Sequence, residues 1–533
     1  MLAVPRRRQR LKRALEVTGV ARRTRLLRVL REVGVVGARD ASRESAQEFR
    51  AALEELGTTF VKLGQLLSSR PDLLPDVYVE ELGRLVDEVP PEPFSAIEPV
   101  IERSLGTDVF VSMEPEPLAA ASIAQIHAAL LNDGREVVVK VRRPGVVEQV
   151  KLDLDLLRRT AELAEGHSET ARLLQLRALA DELEAHLHSE LNFVEEANNA
   201  ELIAGLVADY DGLHVPSVIH PYVREDVLVL ERVHGTKIEE GHELDPERAK
   251  ELARQLFSAY VRQIAAEGVY HADPHRGNIL LQRDGRLALL DFGLLGRLDD
   301  DTRRTIALLL LAIAQNRADD VAALILEVSL TDLGSDEPGF VHELRRKLPR
   351  YHWRSLSGIR AGEALADLQR ISLKYGIALP TSFALVGKTL AQADSVARAL
   401  DPSMDPVRLL EDEGMELMLA EAERRLEPNQ LFGYLFTQLV PAARLPRRVS
   451  QVLERLETGT LKVGITPTAL GELERLLRSV ANRLGASLII AGLLVSSALM
   501  AQVNDAVSLV GYLISGVLAL YLFWKIVRTP GDL

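Results

Sequence analysis

Apolar residues at Phe49, Leu53, Leu56, Phe60, Leu63 and Leu67 recur every three or four positions, which predicts one helix over 46–69. Arg70-Pro71-Asp72 stops it, and Pro90, Pro91 and Pro93 punctuate loops and short helices over 72–105. The period then changes. Ile123 to Leu130 and Glu136 to Val141 predict two strands around an Asn132-Asp133-Gly134 turn, and Val227 to Val233 a third. Long helices are predicted over 174–206 and 246–267. Ile279 to Leu281 and Leu287 to Leu290 flank Asp284-Gly285, the signature of a hairpin. Residues 302–400 read as mostly helical, and 407–480 as amphipathic and helical.

The last apolar pattern differs in kind. Residues 484–501 form eighteen positions without a charge, and residues 506–524 nineteen more, separated by Gln502-Val503-Asn504-Asp505. At 1.5 Å per residue each run reaches about 27 Å, close to the hydrocarbon thickness of a bilayer. Ser508, Gly511 and Ser515 give the second run a small-residue face, and Tyr521 and Trp524 suit the interface. Arg475, Arg478 and Arg483 precede the pair, Lys525 and Arg528 follow it, and the turn carries no cation. A transmembrane hairpin with both ends, and the body, in the cytoplasm is expected. A helical hairpin buried in protein is the alternative.

Composition narrows the chemistry. The 533 residues are 47% hydrophobic but only 5% aromatic, so Leu, Val and Ala fill the core. There is no cysteine, which excludes disulfides, thiolate metal sites and cysteine nucleophiles. A net charge of −13 argues against general nucleic-acid binding. Residues 1–31 run against that average, with eleven Lys or Arg and one acid, Glu16. This basic arm (1–45) reads either as an amphipathic helix on anionic lipid or as a solvated tail; beside the C-terminal runs, the lipid surface is favoured.

Candidate chemistry centres on residues 271–278 (His-Ala-Asp-Pro-His-Arg-Gly-Asn), followed thirteen residues later by Asp291-Phe292-Gly293. The hairpin brings Asn278 and Asp291 to one mouth, where their oxygens suit a Mg²⁺ whose other ligands are phosphates. Asp273 stands five residues before Asn278, the kinase catalytic-loop spacing for the group that handles the acceptor proton. Lys140 lies in a buried strand and needs a carboxylate or phosphate. Glu190 and Glu196 are its candidate partners. On a regular helix they point about 120° apart, so one would meet Lys140 and the other Lys62. Lys62 and Gln65 share a helix face. Ala119, Ala120, Ala121 and Ser122 stand where a kinase has its phosphate-covering Gly-rich loop. The connector at Glu231 to Val233 would offer backbone groups to adenine.

Lys62-Leu63-Gly64-Gln65 resembles the KxGQ motif of the UbiB family of atypical kinases and ATPases. Residues 119–125 resemble its Ala-rich loop. Glu190-Leu191-Asn192 stands where the family has Glu-x-Asp, with Glu196 as its later Glu; Asn192 departs by losing a charge. Residues 271–278 and 291–293 match its catalytic and metal motifs. The resemblance implies an α+β, two-lobed, protein-kinase-like domain over 46–400: lid helix 46–69, N-lobe about 107–235, C-lobe about 236–400. A helical connector (401–483) and the hairpin (484–525) follow. It further implies ATP and Mg²⁺ as cofactors. Lys140 would hold the α/β-phosphates, oriented by Glu196 or Glu190. Lys62 and Gln65 would come from the lid, Asp273 would be base or water-positioning group, and Asn278 and Asp291 would hold Mg²⁺. Members support quinone-lipid biosynthesis, so a quinone or isoprenoid precursor and lipid-synthesis enzymes are the implied partners. No long activation segment and no Ala-Pro-Glu motif follow Gly293, which disfavours an ordinary protein kinase. A small-molecule phosphotransferase of the aminoglycoside or choline kinase type gives no reason for Lys62, Gln65 or the hairpin. A nucleotide-gated scaffold without turnover would share every binding residue.

Overall fold

The computed structural model describes residues 7–23, 42–68, 73–85, 89–167, 176–238, 244–331, 335–353, 361–410, 510 and 512–518. Two units are distinguished, 1–424 and 425–533. In the first, α1 (Arg7–Arg23), α2 (Arg43–Leu56), α3 (Thr58–Ser68), α4 (Asp76–Leu82) and α5 (Phe94–Leu105) precede the first strand. The single helix expected over 46–69 is two. Gly57 at φ 91 ends α2, its N–H reaching Leu53 O and Glu54 O at 3.2 Å, while its own carbonyl accepts the N–H groups of Phe60 and Val61 to start α3. A left-handed residue cannot continue a helix, and glycine adopts that conformation without a side-chain clash. The expected stop at Arg70-Pro71 lies outside the described residues.

The described helix of the basic arm, α1, is tied to the body. Arg13, on α1, donates to Asp153 at 2.6 and 3.1 Å and to Leu56 O at 2.6 Å, and its guanidinium lies 5.9 Å from the Phe60 ring centre. Asp153 is fully buried. Leu11 and Leu15 stay exposed on α1 beside Lys12. Arg13→Ala is expected to strand a buried carboxylate and to lower unfolding stability by about 3 kcal/mol. Denaturant titration would read this, and a second change, Asp153→Leu, should restore part of it; an unchanged midpoint in the single variant would contradict the clamp.

The N-lobe sheet follows with β1 (Phe110–Met113), β2 (Ala119–Ala120), β3 (Ala124–Leu131) and β4 (Glu136–Arg142). Helices α6 (Val146–His167), α7 (Leu176–Glu190) and α8 (Phe193–Leu206) come next, then β5 (Leu213–His214) and β6 (Val227–Glu231). The sheet order is β1-β3-β4-β6, with β2 paired to β3. The β-branched run of β4 alternates: Val137, Val139 and Val141 are fully buried against Ile97 and Ile101 of α5, so Lys140 projects from the opposite face. The helix expected over 174–206 is also broken. Asn192 leaves helical geometry (φ −110) and its Oδ1 accepts the Val194 N–H at 3.2 Å, capping α8. The third strand stops at Glu231, two residues before the expected Val233.

The C-lobe contains β7 (Gly235–Lys237), α9 (Pro246–Arg262), a π-turn over 263–267 and β8 (Val269–His271). The expected hairpin is present as β9 (Ile279–Gln282) and β10 (Leu287–Leu289), with Leu281 opposite Leu287 and Gly285 at φ 79 in the turn. After β11 (Leu295–Arg297) come α10 (Asp300–Ala314), α11 (Ala318–Val328), β12 (Leu330–Thr331), α12 (Glu337–Trp353), α13 (Ala361–Lys374), β13 (Ile377–Ala378) and α14 (Thr381–Leu400). Leu252, Leu256, Phe257, Ile264, Leu309, Leu390 and Val396 share one buried core, which fixes α9, α10 and α14 beneath the catalytic loop.

Of the second unit, residues 510 and 512–518 are described as helical, with Val510, Leu513, Ile514 and Val517 exposed. The run 484–501 and the remainder of 506–524 lie outside the described residues. Among the described residues no helix is long and apolar enough to cross a membrane.

Candidate active site

Three charged side chains meet where the lobes face each other. Lys140 Nζ lies 2.6 Å from Glu196 Oε1 and 3.4 Å from Asp291 Oδ1, and 5.5 Å from the Phe193 ring centre. Burial opposes the ammonium, but Asp291 and Glu196 override it and push the Lys140 pKa up. The same ammonium, aided by Lys62, His271 and the Gly293 N–H, holds the half-exposed Asp291 well below the usual carboxylate range. Asp291 carries φ 58, a left-handed conformation that few non-glycine residues adopt. Two contacts fix the bend behind it: Asn199 Nδ2 donates to Phe292 O at 3.0 Å, and the buried Phe292 ring meets His271 edge-on at 5.3 Å.

The second pair joins the lid to α7. Lys62 Nζ lies 2.8 Å from Glu190 Oε1, which also sits 3.1 Å from His186 Nε2. Burial would raise the Glu190 pKa; Lys62 and His186 together hold it down to about 2. The two glutamates are therefore sorted: Glu196 faces Lys140 and Glu190 faces Lys62. Gly64 lets α3 approach its neighbours closely. A Cβ there would stand 2.3 Å from Leu85 Cδ1 and 2.7 Å from Leu53 Cδ1, so both leucines would have to move. Gln65 donates weakly to Leu85 O at 3.5 Å.

His271 anchors the catalytic loop. Its Nδ1 accepts the Asp273 N–H at 3.1 Å, which leaves Nε2 to donate to Leu290 O at 3.2 Å. Burial lowers its pKa and favours this neutral form. Asn278 Nδ2 donates to Asp273 O at 3.3 Å, and Asn278 O accepts the Leu290 N–H at 2.8 Å. Lys140 thus touches Asp291, and the backbone of the neighbouring Leu290 is tied to Asn278 and, through the Asn278 side-chain amide, to the Asp273 carbonyl. The helix that holds Asp273 lies in the stretch expected to be helical, but no motif marks the two residues that do so. Gln392 Nε2 donates to Asp273 Oδ1 at 2.9 Å and Lys388 Nζ lies 3.6 Å from the same oxygen. Their spacing on α14 was visible, but an i,i+4 polar pair on a helix looks like an ordinary solvent-facing stripe.

The Ala-rich loop is a tight hairpin. Ala119 and Ala120 pair with Ile126 and Gln125, and the Ala121 N–H reaches Ala124 O at 2.8 Å. Arg143 supports it from beneath, 3.3 Å from Ala121 O. Ser122 O accepts from Thr58 Oγ1 at 3.2 Å, tying the loop to the start of the lid helix, while buried Ser122 Oγ meets no partner among the described residues. The Glu231 carboxylate turns to the Ser217 N–H (3.1 Å) and His214 (3.4 Å), and Val233 is half-buried just past β6. Among the described residues no group of three or more His, Cys, Asp or Glu side chains could hold a metal alone. Ionised Asp291 and the Oδ1 of Asn278, whose amide nitrogen is already donating, are hard oxygen donors that fit a Mg²⁺ sharing its shell with phosphate.

Residues 84–325 match the family model of the ABC1 atypical kinase-like domain, 344–405 that of the UbiB helical domain, and 468–528 that of the ABC1/UbiB kinase-like C-terminal domain. The chain is 33% identical over 513 residues to a "Probable protein kinase UbiB" of Xanthomonas campestris pv. campestris (strain B100), covering 92% of this chain and 91% of that one. It is 38% identical over 358 residues to the uncharacterized protein slr0889 of Synechocystis, covering 64% and 87%. A solved structure described as the Rv3197–erythromycin complex from Mycobacterium tuberculosis covers 70% of this chain and 95% of that one, at 24% identity and a TM-score of 0.49. The architecture is kinase-like, and the chain belongs to the ABC1/UbiB family of atypical kinases.

Proposed function

We propose that this protein binds ATP with Mg²⁺ at the lobe junction and transfers the γ-phosphoryl group to water or to a lipid-linked hydroxyl, in support of quinone or isoprenoid-lipid synthesis. The observation that carries this reading is that Lys140 reaches Asp291, while a main-chain bond ties the neighbouring Leu290 to Asn278, whose side-chain amide reaches Asp273 O. Lys140, oriented by Glu196, holds the α/β-phosphates. The loop 119–122 covers them, and the backbone of Glu231 to Val233 faces adenine. Asn278 and Asp291 would hold Mg²⁺, which neutralises phosphate charge. Asp273 accepts the proton as the attacking oxygen bonds to γ-phosphorus and the bond to the β–γ bridging oxygen breaks, releasing ADP. Lys62 and Gln65, on the lid helix, bar the approach of a peptide substrate.

Phosphate release by protein reconstituted in vesicles tests the reading. Turnover should require Mg²⁺, stop with EDTA, and rise when a quinone-precursor lipid is included. Tight ATP binding without turnover would replace the enzyme by a nucleotide-gated scaffold. The lipid partner presumes a membrane anchor, for which the two uncharged runs 484–501 and 506–524 and the match of 468–528 to the family's C-terminal domain are the support. Deletion after Asn482 is expected to release the body from vesicles in a flotation assay; tight association of the truncated protein would remove the anchor assignment.

A further inference from the structure

Helix α14 touches the catalytic loop at every turn that faces it. Thr389 Oγ1 donates to Ala272 O at 3.1 Å, Gln392 to Asp273 Oδ1 at 2.9 Å, and Ser395 receives Arg276 Nη2 at its carbonyl (3.0 Å) and its hydroxyl (3.2 Å). Lys388, Gln392 and Ser395 lie at i, i+4 and i+7, one face of the helix. This face belongs to the segment matched by the helical-domain model, outside the kinase-like match that ends at residue 325.

The contacts divide the labour at Asp273. Oδ1 is occupied by the Gln392 amide and approached by the Lys388 ammonium, while Oδ2 has His275 Nε2 at 3.9 Å. Oδ2 is therefore the oxygen left for an incoming hydroxyl. The catalytic loop has its own cation between Asp273 and Asn278, but Arg276 is turned to Ser395. Lys388 is the ammonium presented at Asp273, and at 3.6 Å, with its side chain 39% exposed, it is loosely held. A phosphoryl group in transfer spreads negative charge over its outer oxygens, and a partly exposed ammonium beside the base is placed to meet it.

We propose that Lys388 is a second phosphate-binding lysine, supplied by the helical segment, that contacts the γ-phosphoryl group, and that Gln392 is a positioning residue for Asp273. This rests on the ATP reading above. The test uses full-length protein in nanodiscs with Mg²⁺, measuring affinity for a non-hydrolysable ATP analogue and for ADP, then turnover. Lys388→Met should weaken the analogue by about tenfold or more, the loss of one charge-assisted contact, and leave ADP within about twofold. Its kcat should fall roughly a hundredfold, with Lys388→Arg restoring most of both. Gln392→Leu should lower kcat at unchanged affinity for either nucleotide. Equal effects on the analogue and ADP, or none on either, would overturn the assignment of Lys388. A native protein that binds neither nucleotide would end both readings. A native protein that binds without turnover, yet shows the split between analogue and ADP in Lys388→Met, would keep Lys388 and discard the enzyme.

Discussion

Lys140→Ala should abolish ATP turnover and weaken the fold at once, because the ammonium is shared. Without it the buried Glu196 carboxylate loses its cation and faces the half-exposed Asp291 carboxylate, so it must take up a proton or move away. Removing one member of such a group costs about 3–5 kcal/mol, which denaturant titration would read directly. Asp273→Asn separates chemistry from stability. Asn still offers an oxygen to the Gln392 amide, so folding and ATP affinity should hold while phosphate release falls roughly 10²–10⁴-fold. Equal rates in native protein and Asp273→Asn would remove Asp273 from the mechanism.

The second large effect concerns acid stability. Glu190 is held at about 2 in the folded protein against an ordinary value of 4.5. A depressed carboxylate stabilises the fold above its unfolded value and loses that contribution as pH falls through its folded one. The Lys62–Glu190–His186 group therefore contributes about 3 kcal/mol at neutral pH, lost between about pH 5 and 2. Lys62→Met should lower the urea midpoint at pH 7 and flatten this part of its acid limb. A variant whose midpoint tracks the native protein across that range would show that Lys62 does not hold Glu190 down.

The chemistry was more legible than its framework. His271 to Asn278, Asp291 and Lys140 announce themselves by residue type and spacing, and contacts join them. The helix breaks did not announce themselves. Leu53, Leu56 and Phe60 keep their phase across Gly57, so periodicity sees no interruption although the backbone reverses hand there. At Asn192 a side chain usable as a cap is equally usable elsewhere, and only the Val194 N–H decides. That cap also gives Asn192 a task needing an acceptor oxygen rather than a charge. Periodicity puts Glu190 and Glu196 on a common helix; the structure puts them on separate ones, with Glu190 facing Lys62 and Glu196 facing Lys140. The contacts of Arg13 and of Gln392 on α14 carry no sequence signal because their partners lie more than a hundred residues away.

Asp291 has one further consequence. Its backbone occupies a region that costs a non-glycine residue of order 1–3 kcal/mol, and the contacts of Asn199 and His271 with Phe292 hold the bend. Under the proposed Mg²⁺ reading, the carboxylate would already stand in its working orientation, so an incoming cation would encounter a preset donor instead of having to induce one.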